Sequence, residues 1–221
     1  SRKNTLSGSR KNIQAHYDLS NPFYALFLDP SMTYSCGCFT DEDESLEEAQ
    51  VNKLHRMLNR IQPQTNDHVL EIGCGWGSFA IHAVQQTGCK VTGLTLSKRQ
   101  KVIADQRIHE AGLAHRIDIQ LRDYRKVDTR FDQIASIEML EAVGHEFLPD
   151  YFRQCERLLK PGGRAAIQAI TIPDNRYDTY RRGSDWIRKY IFPGGHLPSI
   201  ARVEQIIHGS DGLSFHNLER M

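Results

Sequence analysis

The sequence lacks the features that would place it in several specialised classes of protein. Its 28 basic and 27 acidic side chains nearly balance, giving a formal net charge of +1 over 221 residues, which argues against a general electrostatic attraction to nucleic acid. No segment approaches the roughly 20 consecutive apolar residues of a membrane-spanning helix, and no secretory signal opens the chain. We therefore expect a cytoplasmic protein.

Cysteine is also scarce and irregularly spaced. The chain contains five cysteines, an odd number at irregular intervals, so a disulfide framework is not expected. One residue separates Cys36 from Cys38, and no second pair of cysteines or histidines follows at the spacing of a zinc site. The sequence therefore predicts neither a structural metal nor an oxidising compartment.

Hydrophobic periodicity divides the chain into two predicted parts. Residues 1–62 hold an aromatic segment and a predicted helix at 46–61, and we interpret them as a helical cap over a substrate. Residues 63–221 alternate strands with helices, which predicts a doubly wound, mostly parallel α/β sheet. The predicted strands cover residues 69–72, 90–96, 117–121, 131–137 and 164–172, and the predicted helices cover 78–86, 98–112 and 147–159.

A glycine-rich loop, residues 73–77 with the sequence GCGWG, lies between the first predicted strand and its helix. Ligands of open α/β sheets bind at the carboxyl ends of the strands, and glycine allows the backbone to approach a ligand closely. Ser78 occupies the position of the third glycine in the dinucleotide fingerprint. The G-x-G-x-G spacing, preceded by Glu71, suits S-adenosylmethionine better, and a tight turn without a ligand is the alternative.

The second predicted strand ends without the carboxylate that usually binds a cofactor ribose. Thr95, Ser97 or Gln100 would therefore have to form those hydrogen bonds. After the third strand, Asp123 could accept a hydrogen bond from an adenine amino group, and Tyr124 could stack on the ring. Ordinary packing explains Tyr124 equally well.

Seven ordered stretches of the chain carry a resemblance to one known family. They are residues 16–21, 27–30, 32–36, 71–77, 93–97, 138–146 and 190–195. In this order they resemble the cyclopropane-fatty-acyl-phospholipid synthase and mycolic acid cyclopropane synthase family, and residues 173–178 resemble its plant-like branch. The resemblance implies a Rossmann-like class I S-adenosylmethionine-dependent methyltransferase fold. Such a sheet normally has two further strands, so we expect residues missing from the C-terminus.

The resemblance also implies a reaction and its site. The methyl group of S-adenosylmethionine would pass to a cis double bond in an acyl chain of a membrane phospholipid, at the membrane surface. The resulting carbocation would lose a proton to bound bicarbonate and close to a cyclopropane ring. The bicarbonate site maps onto the main chain of Cys36, the side chains of Glu141 and Gln168, and the main chain of Ile170; its tyrosine lies beyond Met221 or is absent.

The residues implied for the cofactor come from several segments of the chain. They are Tyr34, Ser35, Gly73, Gly75, Gly77, Thr95, Gln100, Asp123 and Tyr124. Gln168 stands where the family usually has histidine; it can donate a hydrogen bond to an anion but carries no charge, so we expect weaker anion binding.

Aromatic side chains in the first part could shelter a carbocation by cation–π attraction, worth roughly 2 kcal/mol when desolvated. They are Tyr17, Phe23, Tyr24, Tyr34 and Phe39. Packing alone would explain any one of them.

Three alternative functions remain open at this stage. The same lipid substrate could gain a methyl or methylene branch instead of a ring, a small amine could be N-methylated, or the chain could bind cofactor or lipid without catalysis. The first twelve residues include four basic side chains and no acidic one. They form either a solvated tail or an arm attracted to anionic lipid.

Overall fold

Within the residues described, five parallel strands form one sheet. The computed structural model describes residues 4–6, 8, 9, 12 and 21–221. The strands are β1 His68–Ile72, β2 Lys90–Thr95, β3 Ile117–Leu121, β4 Phe131–Ile137 and β5 Leu159–Gln168. Their order is β3-β2-β1-β4-β5, and every neighbouring pair is parallel. The predicted α/β architecture is confirmed.

Helices cover both faces of this sheet. They are α1 Asn21–Tyr24, α2 Leu46–Ile61, α3 Ser78–Thr87, α4 Lys98–Glu110, α5 Leu148–Leu158, α6 Asp174–Arg182 and α7 Ile200–His208. Val69 and Leu70 are consecutive in β1 and belong to different apolar clusters, because successive strand residues point to opposite faces. The Val69 cluster includes side chains of α2, α3 and α4, and the Leu70 cluster includes side chains of α5 and α7.

Helix α2 has the bounds that its apolar spacing predicts. Ser45 forms a capping box with Glu48, in which each residue's side chain accepts from the other's backbone N–H. Its buried face, including Leu54 and Ile61, joins the same apolar cluster as α3 and α4. The predicted division of the chain after residue 62 stays a prediction.

Strand β5 differs from its predicted range of 164–172. It begins at Leu159, because Leu159 pairs with Phe131 before the register shifts and Arg164 pairs with Gln133. Residues 160–163, which predicted a stop, lie within this irregular stretch at one end of the strand order, where proline and a bulge are tolerated. The strand ends early, and two residues later the Ile170 N–H donates to the Glu141 side chain instead of a neighbouring strand.

No helix among the described residues is long and apolar enough to cross a bilayer. Residues 4, 9 and 12 form a small hydrogen-bonded group, in which Ser9 Oγ donates to Asn4 O over 3.0 Å and Asn12 Nδ2 donates to Asn4 Oδ1 over 2.8 Å. The basic side chains Arg2, Lys3, Arg10 and Lys11, and the predicted pocket residue Tyr17, lie outside the described residues.

Candidate functional site

The glycine loop turns sharply at the carboxyl end of β1. Gly73, Gly75 and Gly77 have φ angles of 84°, 53° and 84°, in the left-handed region that favours glycine. A Cβ atom on Gly73 would lie 2.7 Å from Met139 Cγ, whereas a Cβ on Gly75 would meet no protein atom within 4 Å. The backbone at Gly75 therefore faces open space that a ligand can occupy.

A cavity opens above this loop, and nearly all of the predicted cofactor residues line it. They are Tyr34, Ser35, Gly73, Gly75, Thr95, Gln100, Asp123 and Tyr124. Gly77 is not in the lining. It is the N-cap residue immediately before α3, and a Cβ there would lie 3.4 Å from Ala104 Cβ. The fold thus brings together residues separated by up to 90 positions in the sequence.

Polar groups at the end of β2 are held rigidly beside the cavity. Thr95 Oγ1 donates to Gln100 Oε1 over 2.8 Å, and both residues are buried. Ser97 caps α4 by accepting from Gln100 N over 3.2 Å, as predicted. These bonds fix the polar groups that the sequence assigns to a ribose in place of an acid.

Asp123 also lines the cavity, but its carboxylate is paired within the chain. Arg125 donates to it from Nε over 2.9 Å and from Nη2 over 2.6 Å. The same guanidinium donates to Asn4 O over 3.0 Å and to Ser9 Oγ over 3.1 Å, and Asn4 and Ser9 themselves line the cavity. Arg125, which the sequence analysis missed, therefore joins the N-terminal segment to the predicted adenine site.

Two buried ionisable groups lie behind the loop. Burial raises the pKa of Glu71 to about 8, although the Ala80 N–H bonds to the carboxylate, and Glu71 Oε2 has no partner among the described residues. Lys53 is fully buried on α2 and donates to Ser35 Oγ and Gln50 Oε1. Burial lowers its pKa to about 8 despite the neighbouring carboxylates. Helical spacing predicts only that this face of α2 is buried, so it does not identify Lys53 as a site residue.

Cys36 and Gln168, two of the predicted catalytic residues, both donate a hydrogen bond to the side chain of Glu138. Cys36 N donates to Glu138 Oε1 over 2.9 Å, and Gln168 Nε2 donates to the same oxygen over 3.0 Å. Burial raises the pKa of the Cys36 thiol to about 11, so the thiol stays protonated at neutral pH, consistent with its predicted main-chain role. Glu138 was missed as a site residue, although it directly follows β4 at the ligand-bearing edge.

Glu141 and Ile170, the other two predicted catalytic residues, also meet. Ile170 N donates to Glu141 Oε1, and His196 N donates to the Glu141 carbonyl over 2.8 Å. Burial raises the pKa of Glu141 to about 7. Its Oε2 is buried without a partner among the described residues, so this carboxyl can exchange a proton near neutral pH.

The predicted bicarbonate site presents the wrong kind of polar group for an anion. Two of its N–H donors, Cys36 N and Gln168 Nε2, donate to the Glu138 carboxylate, and the third, Ile170 N, donates to Glu141. The buried atoms that lack partners among the described residues here, Glu141 Oε2 and Gln168 Oε1, are acceptor oxygens. Bicarbonate can donate its single O–H to one of them, but its other oxygens need donors, and these three N–H groups already donate within the chain. The structure gives that prediction no support.

A row of aromatic rings leads away from the cavity. Phe23 packs edge-on against Phe27 with ring centroids 5.6 Å apart, and Phe27 lies 6.2 Å from Tyr34. Tyr34 is stacked at 19° on Phe192, 6.5 Å away. Phe23, Phe27 and Phe192 are exposed, whereas Tyr34 lines the cavity. Of the predicted aromatic residues, Tyr24 is buried beneath this row and Phe39 is exposed.

Comparisons with known proteins agree with each other. The model of the family described as mycolic acid cyclopropane synthetase matches residues 4–220. The tuberculostearic acid methyltransferase of Mycobacterium tuberculosis is 46% identical over 212 residues, which are 93% of this chain and 49% of that protein. Cyclopropane mycolic acid synthase 1 of M. tuberculosis is 37% identical, over 88% of this chain and 71% of that protein.

A solved structure gives the same result. Mycolic acid cyclopropane synthase, complexed with SAH and CTAB, superposes with a TM-score of 0.83 at 36% sequence identity, covering 90% of this chain and 73% of that one. The chain spans about half the length of the first curated relatives that it matches.

Proposed function

Because the chain belongs to the mycolic acid cyclopropane synthetase family, we propose that it is an S-adenosylmethionine-dependent methyltransferase acting on the double bond of an unsaturated acyl chain. Its fold is the class I methyltransferase fold that the sequence predicts. One observation carries the proposal: Tyr34 belongs both to the cofactor cavity and to the row of exposed aromatic rings. Cofactor site and apolar surface are therefore continuous.

The residues of the cavity fit S-adenosylmethionine. Gly75 leaves open space against the backbone, and Thr95 and Gln100 offer polar groups for a ribose. The buried Glu71 carboxyl, with one oxygen unpartnered among the described residues, suits a cationic ligand. When bound, the cofactor supplies an electrophilic methyl group. The chain's residues orient it, exclude water and manage the proton that the reaction releases.

The surface beside the cavity supports a lipid substrate. Phe23, Phe27 and Phe192 are exposed next to Tyr34, and contiguous exposed apolar side chains mark lipid or protein contacts. The neighbouring turn Ile187–Ile191 exposes further apolar groups and carries Arg188 and Lys189. We propose a phospholipid at a membrane surface, with the acyl chain entering along the aromatic row and the exposed Lys189 facing an anionic headgroup. The Arg188 guanidinium instead donates to the carbonyls of Tyr180, Gly183 and Gly195 and holds this turn in place.

The product is a ring or a methyl-branched alkene, and these two outcomes differ in which carbon–hydrogen bond of the carbocation breaks. The names of the relatives support both, since one is a methyltransferase of tuberculostearic acid and another is a cyclopropane synthase. We propose the cyclopropane as the product and keep the branched lipid as its alternative.

An amine substrate is the second candidate, favoured by one observation. Two buried acceptor oxygens, Glu141 Oε2 and Gln168 Oε1, lack partners among the described residues, and the N–H of a neutral amine can donate to such an oxygen while its lone pair attacks the methyl group. The exposed aromatic row has no role in that reaction, so we rank it second.

Mass spectrometry of phospholipid acyl chains tests the proposal. Cells expressing the chain and fed methyl-labelled methionine should gain one labelled CH₂ in their unsaturated chains, and fragmentation then separates a ring from a branch. Gly75→Val, which fills the open space of the cavity, is the matched inactive control. Purified protein that binds S-adenosylmethionine yet labels an added amine, and no lipid, would replace the first candidate with the second.

A further inference from the structure

We propose that the Glu138 carboxylate is the catalytic base of this reaction, and that it takes the place that the sequence resemblance assigns to a bound anion. The inference rests on the proposed function and names the group that removes the proton. It also explains why the predicted bicarbonate site is acceptor-rich.

Two N–H donors converge on one oxygen of Glu138. Cys36 N lies 2.9 Å and Gln168 Nε2 lies 3.0 Å from Glu138 Oε1. Hydrogen bonds to an ionised acceptor are strong, so these donors hold a carboxylate firmly in the position where an external anion would bind. A second anion there would face the like charges of Glu138 and Glu141.

The backbone at Glu138 adopts an unusual conformation. Glu138 has a φ of 47°, one of three non-glycine residues with positive φ among those described. Left-handed backbone is unfavourable for a residue with a Cβ and concentrates at functional sites. Glu138 N donates to Gln168 O over 2.9 Å, so the same two residues bond through both main chain and side chain.

Glu138 also lies at the wall of the cavity in which the proposed cofactor binds. It lines the cofactor cavity together with Tyr34 and Met139, and its charge, after burial, raises the pKa of Tyr34. Its charge also acts on the buried Lys53 ammonium, whose pKa it raises against the lowering effect of burial. Glu141 is the competing carboxyl, but it is not among the residues that line the cavity, whereas Glu138 is.

The proposed reaction releases one proton, and Glu138 can accept it. The alkene electron pair forms a bond to the methyl carbon as the carbon–sulfur bond breaks, leaving a carbocation on the acyl chain. A carbon–hydrogen bond of the new methyl group then breaks, its electron pair closes the ring, and Glu138 receives the proton. Proton loss from a neighbouring chain carbon instead gives a branched alkene. Glu138 afterwards returns its proton to solvent.

Bicarbonate dependence and substitution at Glu138 test the inference together. Wild-type activity should not change when bicarbonate is removed by purging with argon. Glu138→Gln should lower activity by about 10² to 10⁴-fold, the usual contribution of a general base. Glu138→Gly suits the positive φ and should fold; it should be inactive in purged buffer and regain activity with added bicarbonate or formate. The exposed Glu47→Gln is the control for altered charge.

A binding measurement separates this inference from the proposed function. Calorimetry with bicarbonate should show no binding to the wild type and binding to Glu138→Gly. Bicarbonate binding by the wild type, a loss of wild-type activity on purging, or full activity of Glu138→Gln would each overturn the role of Glu138. Cofactor binding without methylation of any lipid would instead overturn the proposed function, and the bicarbonate titration would still decide the inference.

Discussion

Replacing Glu71 with glutamine should remove a pH dependence that the folded protein owes to one buried carboxyl. Glu71 is 3% exposed, and burial raises its pKa from 4.5 to about 8. Since this folded-state pKa lies above the unfolded value, the folded state retains a proton that the unfolded chain has lost. The contribution of the group to stability is therefore fully present below about pH 4.5 and is lost as pH rises through about 8.

The magnitude follows from proton linkage. One pKa unit is worth about 1.4 kcal/mol, and the two pKa values give a loss of about 2.5 kcal/mol in the free energy of unfolding between pH 5 and pH 7. The Lys53 ammonium favours ionised Glu71 and is included in its pKa. A glutamine at this position does not titrate, so the variant should not suffer the loss.

Urea unfolding at pH 5, 6 and 7 measures the effect. The free energy of unfolding of Glu71→Gln, relative to wild type, should rise by about 2.5 kcal/mol from pH 5 to pH 7. Glu47→Gln, an exposed substitution in the first turn of α2, should show no such trend. If the difference between Glu71→Gln and wild type is the same at all three pH values, the reasoning about this buried carboxyl is wrong.

Three further substitutions probe the cavity. Gly75→Ala should lower the free energy of unfolding by about 1–2 kcal/mol through left-handed backbone strain. It should also weaken cofactor binding at least tenfold in calorimetry, on the order of 1.4 kcal/mol of binding free energy. Gly112→Ala is the control, since Gly112 has a φ of 71° and equally open space, and it should show only the loss of stability. Arg125→Ala should leave the Asp123 carboxylate with only the main-chain N–H of residue 125 as its partner and cost about 1–3 kcal/mol in urea unfolding, and adding Asp123→Asn should recover part of it. Lys53→Met should raise the pKa of Glu71 further, because the Lys53 ammonium favours the ionised form of that carboxyl; a Glu71 titration by NMR that is the same in variant and wild type would contradict this.

Sequence patterns predicted most elements of the fold because local signals and tertiary packing agree there. Helix α2 keeps its apolar spacing through Ile61, and β3 and β4 have the bounds that their apolar runs predict. The start of β5 could not be read in this way. Pro161 and the glycines after it are turn signals, yet the register shift opposite Phe131 and Gln133 accommodates them within the strand.

The site was predictable where its residues lie in contiguous motifs, and not where function depends on contacts across the chain. The glycine loop and Thr95 can be recognised in the sequence, because each has a characteristic residue type and lies at the end of a predicted strand. The contact between Cys36 and Glu138 joins residues 102 positions apart, and no spacing rule indicates it. The role of Lys53 could not be predicted for the same reason. A lysine on an apolar helix face indicates a functional site only when the neighbouring carboxylates are known from the structure.

The charges around the cavity are suited to a reaction that begins and proceeds with positive charge. Burial raises the pKa of Glu71 to about 8 and that of Glu141 to about 7, so at neutral pH Glu71 is mostly protonated and Glu141 is about half so without a cationic ligand. Glu71 lines the cavity and Glu141 adjoins the lining residue Ala142, so a sulfonium or a carbocation in the cavity favours the ionised forms of both carboxyls. Of these three glutamates, only Glu138 accepts two N–H donors on one oxygen among the described residues. Under the proposed function, Glu71 and Glu141 therefore adjust the electrostatics by titrating, while Glu138 is ready to accept the proton that completes the reaction.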